Sequence, residues 1–276
     1  MPHAIDYDPL KVKLGRLVER NVFLRRVFYM ALGMLFLRQW HVRAELKRIA
    51  RERGHAVRGI LDAGSGFGQY TYLMGKLFPW AQIFAVDVKD EQVSDCRWFS
   101  EQVGHKYTKF ESADLTRFRD PERFNLALSV DVMEHIAEDE AVFANVFASL
   151  RSDGTFIIAT PSAPEDGSAH HDGEDFSVVG EHVRQGYTRQ EFVDKITRAG
   201  FTVEKLKYTY GQLWGRLAWL ILQRIPMRLL SLSKLFAVLV VPWMIVMYLP
   251  AALCMWLDVN TNNSQGGSWL MVARKP

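Results

Sequence analysis

A glycine-rich turn directly after an apolar strand is the feature that most constrains this chain. Residues 60–68 read Ile-Leu-Asp-Ala-Gly-Ser-Gly-Phe-Gly, so an acid precedes glycines at Gly64, Gly66 and Gly68. Glycine tolerates positive φ and lets a ligand lie against bare backbone. The third glycine comes one residue too early for the G-x-G-x-x-G spacing of a dinucleotide-binding turn, and Asp62 would repel a pyrophosphate. The turn therefore favours a ligand that carries positive charge.

Strand-like and helix-like segments alternate along the middle of the chain. Short apolar runs bounded by turn residues predict strands, and longer segments predict helices between them. The predicted strands are 58–62, 82–87, 106–110, 124–130, 154–160, 201–210 and 267–274, and the predicted helices are 68–78, 90–103, 115–122, 138–150 and 188–199. This alternation is typical of an α/β fold in which a parallel sheet carries helices on both faces.

Acidic residues close four of these strands. Asp62, Asp87, Asp114 and Asp131 each stand at or just after the carboxyl end of a predicted strand. The carboxyl ends of parallel strands meet at one edge of the sheet, where ligands bind in open α/β folds. We therefore expect the four carboxylates to form one acidic rim.

Several segments together resemble the class I S-adenosylmethionine-dependent methyltransferases, in particular the type 11 or ubiquinone O-methyltransferase-like group. They are the glycine turn at 62–68 and the segments 82–87, 112–115, 124–131, 131–136 and 154–161. The resemblance covers about residues 56–210 and the last ten residues, and it is specific for cofactor and fold rather than for substrate. It implies a Rossmann-like seven-stranded sheet whose last two strands form an antiparallel hairpin, in a domain built from residues 56–211 and 263–276.

The same resemblance implies S-adenosylmethionine as the cofactor. Asp87 would accept hydrogen bonds from both ribose hydroxyls, as a carboxylate can, and Asp114 would accept one from the adenine amino group, with Leu115 against the ring. Asp62 would orient the turn or the amino group of the cofactor. An alternative role for Asp114 is the N-cap of helix 115–122. The full expected set is Asp62, Gly64, Ser65, Gly66, Gly68, Asp87, Val88, Asp114, Leu115 and Asp131.

Methyl transfer from a sulfonium is a direct displacement, so the enzyme mainly has to align the nucleophile, the methyl carbon and the leaving sulfur. An oxygen nucleophile often needs a general base as well. The candidates are Glu134 and His135, after the fourth strand, and His182, His170 and His171, in the loop 161–186. The alternative for Glu134 and His135 is a structural pair that fixes the local loop.

The loop 161–186 lies where a substrate would enter. The segment 181–187 is similar to one often seen in this methyltransferase group. We expect Arg184 and Tyr187 to hold a polar headgroup of the substrate. The alternative is an ordinary surface loop.

A magnesium site is an alternative at the end of the fourth strand. Asp131, Glu134 and His135, with a further His from 170–182, resemble the ligands of some metal-assisted O-methyltransferases. Oxygen-rich ligands suit Mg²⁺. Because those relatives tend to have Glu where this chain has Asp131, the main expectation is a site without a metal.

Charge is distributed unevenly along the 276 residues. Residues 11–53 hold twelve Lys and Arg against three Glu, and residues 211–257 hold four Lys and Arg and no acid, which leaves the remainder at −10 for a net charge of +3. Both basic segments are also very apolar, a combination that suits an anionic membrane surface better than a nucleic acid. The first twenty residues hold no signal-peptide apolar core, and the two cysteines, Cys96 and Cys254, are far apart in sequence, which argues against a disulfide framework. These observations predict a protein at the cytoplasmic face of a membrane, monotopic or peripheral.

An apolar insertion at 212–262 separates the last two strands. Its segment 235–257 carries no charge and is long enough to cross a bilayer, but a single crossing would leave the last strand on the wrong side. Pro242 and Pro250 would break a straight helix. The insertion is therefore expected to dip into one leaflet or to form a re-entrant hairpin, and the alternative is a helical lid on the body.

The N-terminal segment 1–55 is predicted to form basic amphipathic helices. Its apolar run at 27–37 is too short to span a bilayer and is flanked by arginines. Two compatible expectations follow, which are an in-plane membrane helix and a helix that covers the active site.

The sequence thus predicts a membrane-associated methyltransferase that acts on a lipophilic acceptor, such as a lipid, a quinone precursor, or a sterol-like or polyprenyl-linked molecule, most often at oxygen. One alternative is a methyltransferase of nucleic acid or protein. Against nucleic acid, the fourth strand lacks the Asn/Asp-Pro-Pro-Tyr run of amino-methylating DNA enzymes. The other alternative is a cofactor-binding scaffold without catalysis. The oligomeric state is left open.

Overall fold

The computed structural model describes residues 21–163 and 183–276. Within them, helices and strands alternate as the sequence predicts. The helices are α1 (Val22–Leu35), α2 (Leu37–Arg53), α3 (Gln69–Leu77), α4 (Asp90–Gln102), α5 (Asp139–Ser149), α6 (Arg189–Arg198), α7 (Trp214–Trp219), α8 (Ile225–Leu232) and α9 (Ala237–Asn260). The strands are β1 (Gly59–Ala63), β2 (Gln82–Asp87), β3 (Thr108–Ser112), β4 (Phe124–Val130), β5 (Leu150–Pro161), β6 (Thr202–Gly211) and β7 (Gly266–Arg274).

The strands of the described chain form one seven-stranded sheet in the order β3-β2-β1-β4-β5-β7-β6. The first five run parallel, and β7 pairs antiparallel with both β5 and β6. The predicted Rossmann-like sheet and its terminal hairpin are confirmed. The strand order reverses between β1 and β4, and ligands bind at such a point outside the carboxyl ends of the strands.

Helices cover both faces of the sheet because successive strand residues point to opposite sides. Leu61 of β1 belongs to the core that contains the α5 and α6 side chains. Ile60, its neighbour, belongs to the core that contains α2 and α3 side chains such as Leu46 and Met74. The predicted two-sided helical cover is therefore confirmed.

The prediction of a helix at 115–122 is wrong. The segment forms a single turn in which the backbone N–H groups of Arg117 and Phe118 donate to the carbonyl oxygen of Asp114 at 3.0 and 2.8 Å. One turn fixes several dihedral angles for few hydrogen bonds, so it does not extend without further support. Pro121 and the start of β4 at Phe124 then leave no room for a longer helix.

The insertion predicted before the last strand is helical, but its prolines do not break it. A turn of π-helix at Leu220–Arg224 joins α7 to α8, and α9 runs unbroken through Pro242 and Pro250. A proline removes one backbone hydrogen bond and often bends a helix rather than ending it. The expectation that the two prolines break the helix is therefore wrong, and one long apolar helix precedes β7.

The C-terminal end of α9 is fixed to the body by a buried polar cluster. Asp258 is fully buried, with Oδ2 at 2.8 Å from Nε2 of His41 on α2. Its Oδ1 accepts a hydrogen bond from the backbone N–H of Gly211 at 2.9 Å. The buried residues of α9 are Ala251, Met255 and Asp258, so the helix is held by its second half while its first half lies exposed.

Candidate active site

The glycine turn folds tightly between β1 and α3. Gly64, Gly66 and Gly68 all have positive φ, at 88°, 49° and 75°. The backbone N–H groups of Gly64 and Ser65 both donate to the carbonyl oxygen of Val86 at 2.9 Å. A Cβ on Gly64 would lie 2.3 Å from Cγ2 of Val132. Only glycine fits this position, and the turn presents bare backbone to the edge of the sheet.

Asp87 closes β2 beside this turn. Its Oδ2 accepts a hydrogen bond from the N–H of Gly66 at 2.8 Å, and its Oδ1 accepts one from the N–H of Lys89 at 3.1 Å. Its side chain is buried and lines a cavity. A carboxylate has about four acceptor positions, so two remain for a pair of ligand hydroxyls.

Asp62 lies beneath the turn rather than in the cavity. Its side chain is buried, and its Oδ2 accepts a hydrogen bond from the hydroxyl of Thr71 on α3. Burial raises the pKa of Asp62 to about 7, and the charge of Asp87 adds to the rise. Of the two roles expected for Asp62, this placement supports orientation of the turn.

The raised pKa of Asp62 predicts a specific pH dependence of stability. Because the folded protein holds this proton more tightly than the unfolded chain, the free energy of unfolding should fall as pH rises from about 4 to about 7 and then level off. The variant Asp62→Asn should lack this contribution of up to a few kcal/mol. Urea unfolding at several pH values would measure the difference from wild type, with the exposed Asp90→Asn as control. A difference that is flat across this range would contradict the raised pKa.

The turn opens into a cavity of about 510 Å³ at the carboxyl ends of the strands. Of the expected cofactor residues, Gly64, Ser65, Gly66, Asp87, Val88, Asp114, Leu115 and Asp131 line it. Asp62 and Gly68 do not line the cavity. Gly68 packs against Cys96, since a Cβ added at Gly68 would lie 2.9 Å from Sγ of Cys96. The acidic rim predicted from the sequence thus exists, with three of its four carboxylates in the cavity.

One end of the cavity lies beside β3. There Oδ1 of Asp114 accepts hydrogen bonds from the N–H and the hydroxyl of Thr116, at 2.9 and 2.7 Å. Asp114 therefore caps a turn, not the predicted helix, and its second oxygen remains for a ligand. Val88 is 52% exposed beside it, and Leu115 is buried. The two apolar side chains and the carboxylate line the same end of the cavity.

The other end of the cavity lies beyond β4, where Asp131 has a positive φ of 57°. Nη1 of Arg38, on α2, forms an ion pair with Oδ1 of Asp131. Nη2 of Arg38 donates to the hydroxyl of Ser268 on β7 at 2.6 Å. This ion pair joins the N-terminal helices to the end of the sheet and sets the charge of this part of the cavity.

Glu134 and His135 follow in a short helical turn and both line the cavity. Glu134 is fully buried, and its Oε2 accepts a hydrogen bond from the hydroxyl of Thr160 at 3.1 Å. His135 is only partly buried. The structure thus places both predicted catalytic residues at the end of β4, beside the glycine turn.

The described residues do not form a complete magnesium site. Oδ1 of Asp131 is paired with Arg38, and Oε2 of Glu134 accepts a hydrogen bond from Thr160, while Oε1 of Glu134 has no partner in the described chain. Across residues 21–163 and 183–276, no group of three His, Cys, Asp or Glu side chains is arranged to hold a metal ion. The further His expected from 170–182 lies outside the described residues.

The predicted substrate residues Arg184 and Tyr187 are not among the residues that line the cavity, which corrects their assignment. Nη1 of Arg184 donates to Oδ2 of Asp139 at 2.6 Å, and its guanidinium lies over the ring of Tyr187. Tyr187 is fully buried and donates to the same carboxylate oxygen at 2.5 Å. Lys195 completes this cluster at 2.9 Å, so both residues fasten the loop to α5 and α6. His182, predicted as catalytic, lies outside the described residues.

Sequence reasoning missed the wall that the N-terminal helices contribute. Phe28, Leu32 and Phe36 line the cavity from α1 and the residue after it, and Arg38 and Gln39 line it from α2. The signal was the basic and apolar composition of 27–43, which also predicted membrane contact. The N-terminal helices were expected to cover the site, but the sequence did not indicate which of their residues line the cavity.

Helix α1 is fastened to the glycine turn itself. Arg25 is 3% exposed, and its Nη2 donates to the carbonyl oxygen of Phe67 at 3.0 Å. The hydroxyl of Tyr29 donates to the same oxygen. The apolar wall of α1 and the turn therefore form one unit.

Several buried polar atoms around the cavity lack a hydrogen-bond partner within the described part of the chain. They are Nε of Arg38, Oε1 of Gln39, Oγ of Ser65 and Oε1 of Glu134. Buried polar groups are nearly always hydrogen-bonded, so this concentration fits a polar ligand. With the glycine backbone and Asp87, the cavity can hold a polar ligand that carries hydroxyl groups, beside the apolar wall from α1.

Comparison with known families gives one extended match. The profile described as Methyltransferase domain matches residues 56–211. Among solved structures, the O-methyltransferase from the trans-AT PKS multienzyme of Brevibacillus brevis, in complex with S-adenosyl-L-homocysteine, is similar with a TM-score of 0.60. The two sequences are 15% identical, and the match covers 100% of this chain and 81% of that one. At that identity the likeness shows the fold alone.

Two curated relatives are malonyl-[acyl-carrier protein] O-methyltransferases. The one from Laribacter hongkongensis (strain HLHK9) is 28% identical over 172 residues, which are 57% of this chain and 57% of that protein. The one from Bacillus cereus (strain ATCC 14579) is 28% identical over 101 residues, which are 37% of this chain and 36% of that protein. The matches thus span from about a third to just over half of these relatives' length.

Proposed function

The chain belongs to the methyltransferase domain family, with S-adenosylmethionine as its cofactor, and from that premise we propose that it methylates an oxygen of a lipophilic acceptor at a membrane surface. The observation that carries this proposal is the cavity, which combines a polar half built around Asp87 with an apolar wall from α1. The acyl-carrier-protein methyltransferases among its relatives support oxygen as the acceptor atom.

The residues present fit the cofactor. Asp87 would hold the ribose, and Val88, Asp114 and Leu115 would hold the adenine. The backbone of the glycine turn and the hydroxyl of Ser65 would face the methionine portion, since this hydroxyl is buried without a partner in the described chain. When bound, S-adenosylmethionine supplies an electrophilic methyl group on a sulfonium.

The chain's own contribution is alignment and proton removal. The cavity would hold the donor along its polar half and the acceptor against its apolar wall, and such alignment supplies much of the rate enhancement of a displacement. Glu134 and His135 both line the cavity, and in this proposal either takes the proton of the acceptor hydroxyl. Glu134 is buried and held by the hydroxyl of Thr160, so we assign it the supporting role and His135 the role of the base.

A base at His135 predicts a separation of binding from catalysis. His135→Ala should lower kcat by about 10²-fold or more and leave the affinity for S-adenosylhomocysteine within about twofold, because removing a general base affects proton transfer rather than donor binding. Glu134→Gln should lower kcat less. Labelled methyl transfer to a lipid extract would measure kcat, and calorimetry would measure binding.

The exposed His55→Ala is the control in this experiment. Transfer of label to malonyl thioester or to nucleic acid, with none to extracted lipid, would reject the lipophilic acceptor. A full rate in His135→Ala would reject the base. Label transfer to no acceptor at all, with intact cofactor binding, would favour a scaffold without catalysis.

The apolar helix α9 supports the membrane part of the proposal. It is the one helix among the described residues that is long and apolar enough to cross a bilayer, and only 11% of its most apolar stretch is buried. A core helix of similar composition would be mostly buried, whereas Ile245 and Leu249 are 72% and 74% exposed. Phe23 and Met30 on the outer face of α1 are exposed as well. Exposed apolar surface of this extent marks an interaction site.

Membrane contact through α9 predicts loss of vesicle binding in a charged variant. Wild type should float with phosphatidylglycerol vesicles, and Ile245→Asp with Leu249→Asp should weaken partitioning by about tenfold or more, since a carboxylate is costly to place in a bilayer. Gln102→Asp with Thr197→Asp adds the same charge at exposed sites on α4 and α6 and should float normally. Wild type that stays entirely in the aqueous fraction would contradict the proposal.

A further inference from the structure

A second groove, of about 760 Å³, lies at the edge of the sheet opposite the active site. The first residues of four strands line it, namely Gly59, Gln82, Thr108 and Phe124. These are the amino ends of β1, β2, β3 and β4, whereas the cofactor cavity lies at their carboxyl ends. The methyl-transfer mechanism uses no residue of this groove, so its composition needs its own explanation.

The groove is strongly cationic. Its lining includes Arg58, Lys106, Lys109, Arg123 and Arg151 and, among the described residues, no Asp or Glu. Lys109 pairs with Glu111 at 2.8 Å, and Arg123 pairs with Asp120. This concentration stands out because the chain outside its two basic apolar segments has a charge of −10. We call this feature the basic groove.

Three cations of the basic groove have no carboxylate partner in the part of the chain that the structure describes. They are Arg58, Lys106 and Arg151, and Nε of Arg151 is held at 2.9 Å by the carbonyl oxygen of Glu122. Like charges held together repel each other. A ligand with several negative charges would relieve that repulsion and form charge-assisted hydrogen bonds.

Aromatic rings fix the geometry of the basic groove. Nζ of Lys109 and Cζ of Arg123 each lie 4.7 Å from the centroid of the Phe84 ring. The ring of Trp80 packs against the ring of His55 with their centroids 4.0 Å apart, and its indole nitrogen donates to the carbonyl oxygen of Val57 at 3.1 Å. Tyr107 is 59% exposed at the rim. The groove thus offers ordered cations next to an exposed ring on which a planar group can stack.

We propose that the basic groove binds a nucleoside polyphosphate. Its volume lies in the range of small-molecule sites, the unpaired cations match a chain of phosphates, and Tyr107 offers a stacking surface for the base. A bounded groove at the amino ends of four strands suits one nucleotide better than an extended strand of nucleic acid. A nucleotide bound there would lie at the amino ends of the strands. This site is separate from the methyl-transfer site at their carboxyl ends.

Calorimetry with ATP tests this site. Saturating S-adenosylhomocysteine must be present, because ATP shares adenosine with the cofactor and would otherwise enter the active-site cavity. We expect ATP to bind wild type under these conditions. Arg58→Glu with Lys106→Glu should weaken binding by more than about tenfold, because each reversal replaces attraction by repulsion. Arg43→Glu with Arg198→Glu, which reverses two exposed cations elsewhere, should bind within about twofold of wild type.

Two further arms identify what is bound. Tyr107→Ala should weaken ATP binding and leave the affinity for inorganic tripolyphosphate unchanged, since only ATP has a base to stack. Absence of ATP binding to wild type, or equal binding to the Arg58→Glu, Lys106→Glu variant, would overturn the proposal. Tripolyphosphate that binds as tightly as ATP would overturn its nucleoside part, and a single-stranded RNA that binds far more tightly than ATP would assign the groove to nucleic acid instead. Thermal unfolding of each variant would confirm that it is folded.

Discussion

Asp87→Ala should weaken S-adenosylmethionine binding by about 100-fold or more. The variant removes a carboxylate that can accept two hydroxyl hydrogen bonds from the ligand, and hydrogen bonds to charged groups contribute about 1.5–3 kcal/mol each. It also removes the acceptor for the backbone N–H groups of Gly66 and Lys89, at 2.8 and 3.1 Å. The glycine turn would therefore lose its fixed position as well as its partner. Calorimetric titration with S-adenosylmethionine would measure the loss.

Two companion variants separate the causes. Asp87→Asn keeps one acceptor oxygen for Gly66 and loses the charge, so its affinity should lie between those of wild type and Asp87→Ala. Asp90→Ala removes a carboxylate three positions further along, where the side chain is exposed at the start of α4, and should bind normally. Undiminished affinity in Asp87→Ala would place the cofactor outside this cavity and remove the premise of the proposed mechanism.

The parts of this molecule that sequence predicts well are those in which local pattern and tertiary environment agree. The glycine turn, the acid at Asp87 and the alternation of strands and helices each depend on short-range rules of backbone geometry and burial. Asp131 also falls where parallel strands end, so its convergence with the glycine turn follows from topology. For these features no knowledge of distant residues is needed.

The parts that sequence misplaces depend on partners far along the chain. Arg184 is directed by Asp139, 45 positions earlier. Asp131 lies where topology predicts, but its ion pair with Arg38 of α2 was not predicted. Nothing in either local segment specifies those pairs. The segment 115–122 has the composition of a helix, but the start of β4 leaves it room for one turn. These contacts decide which polar residues reach the cavity and which fasten the loops behind it.

Gly64→Ala should destabilise the protein by about 3 kcal/mol and abolish tight cofactor binding. Two effects add in this variant. An alanine at a φ of 88° is strained, and its Cβ would lie 2.3 and 2.8 Å from the two methyl carbons of Val132, which overpacks the junction between the turn and the end of β4. Thermal unfolding should show a midpoint roughly 6–12 °C below wild type. Gly66→Ala is the matched control, because its φ is also positive, at 49°, but no atom lies within 4 Å of its added Cβ.

Comparison of Gly64→Ala with Gly66→Ala should therefore separate the cost of backbone strain from the cost of steric contact. Gly66→Ala should cost about 1 kcal/mol, the value for backbone strain alone. Because Gly66 lines the cavity, its new methyl group should still weaken cofactor binding. Val132→Ala removes both methyl carbons that Gly64→Ala would meet, so the double variant should recover the steric part of the loss and give a coupling energy of about 1–2 kcal/mol. If Gly64→Ala and Gly66→Ala were equally stable, the turn would not pack against the segment after β4. The position of Glu134 and His135 relative to the donor would then have to be set by something other than this contact.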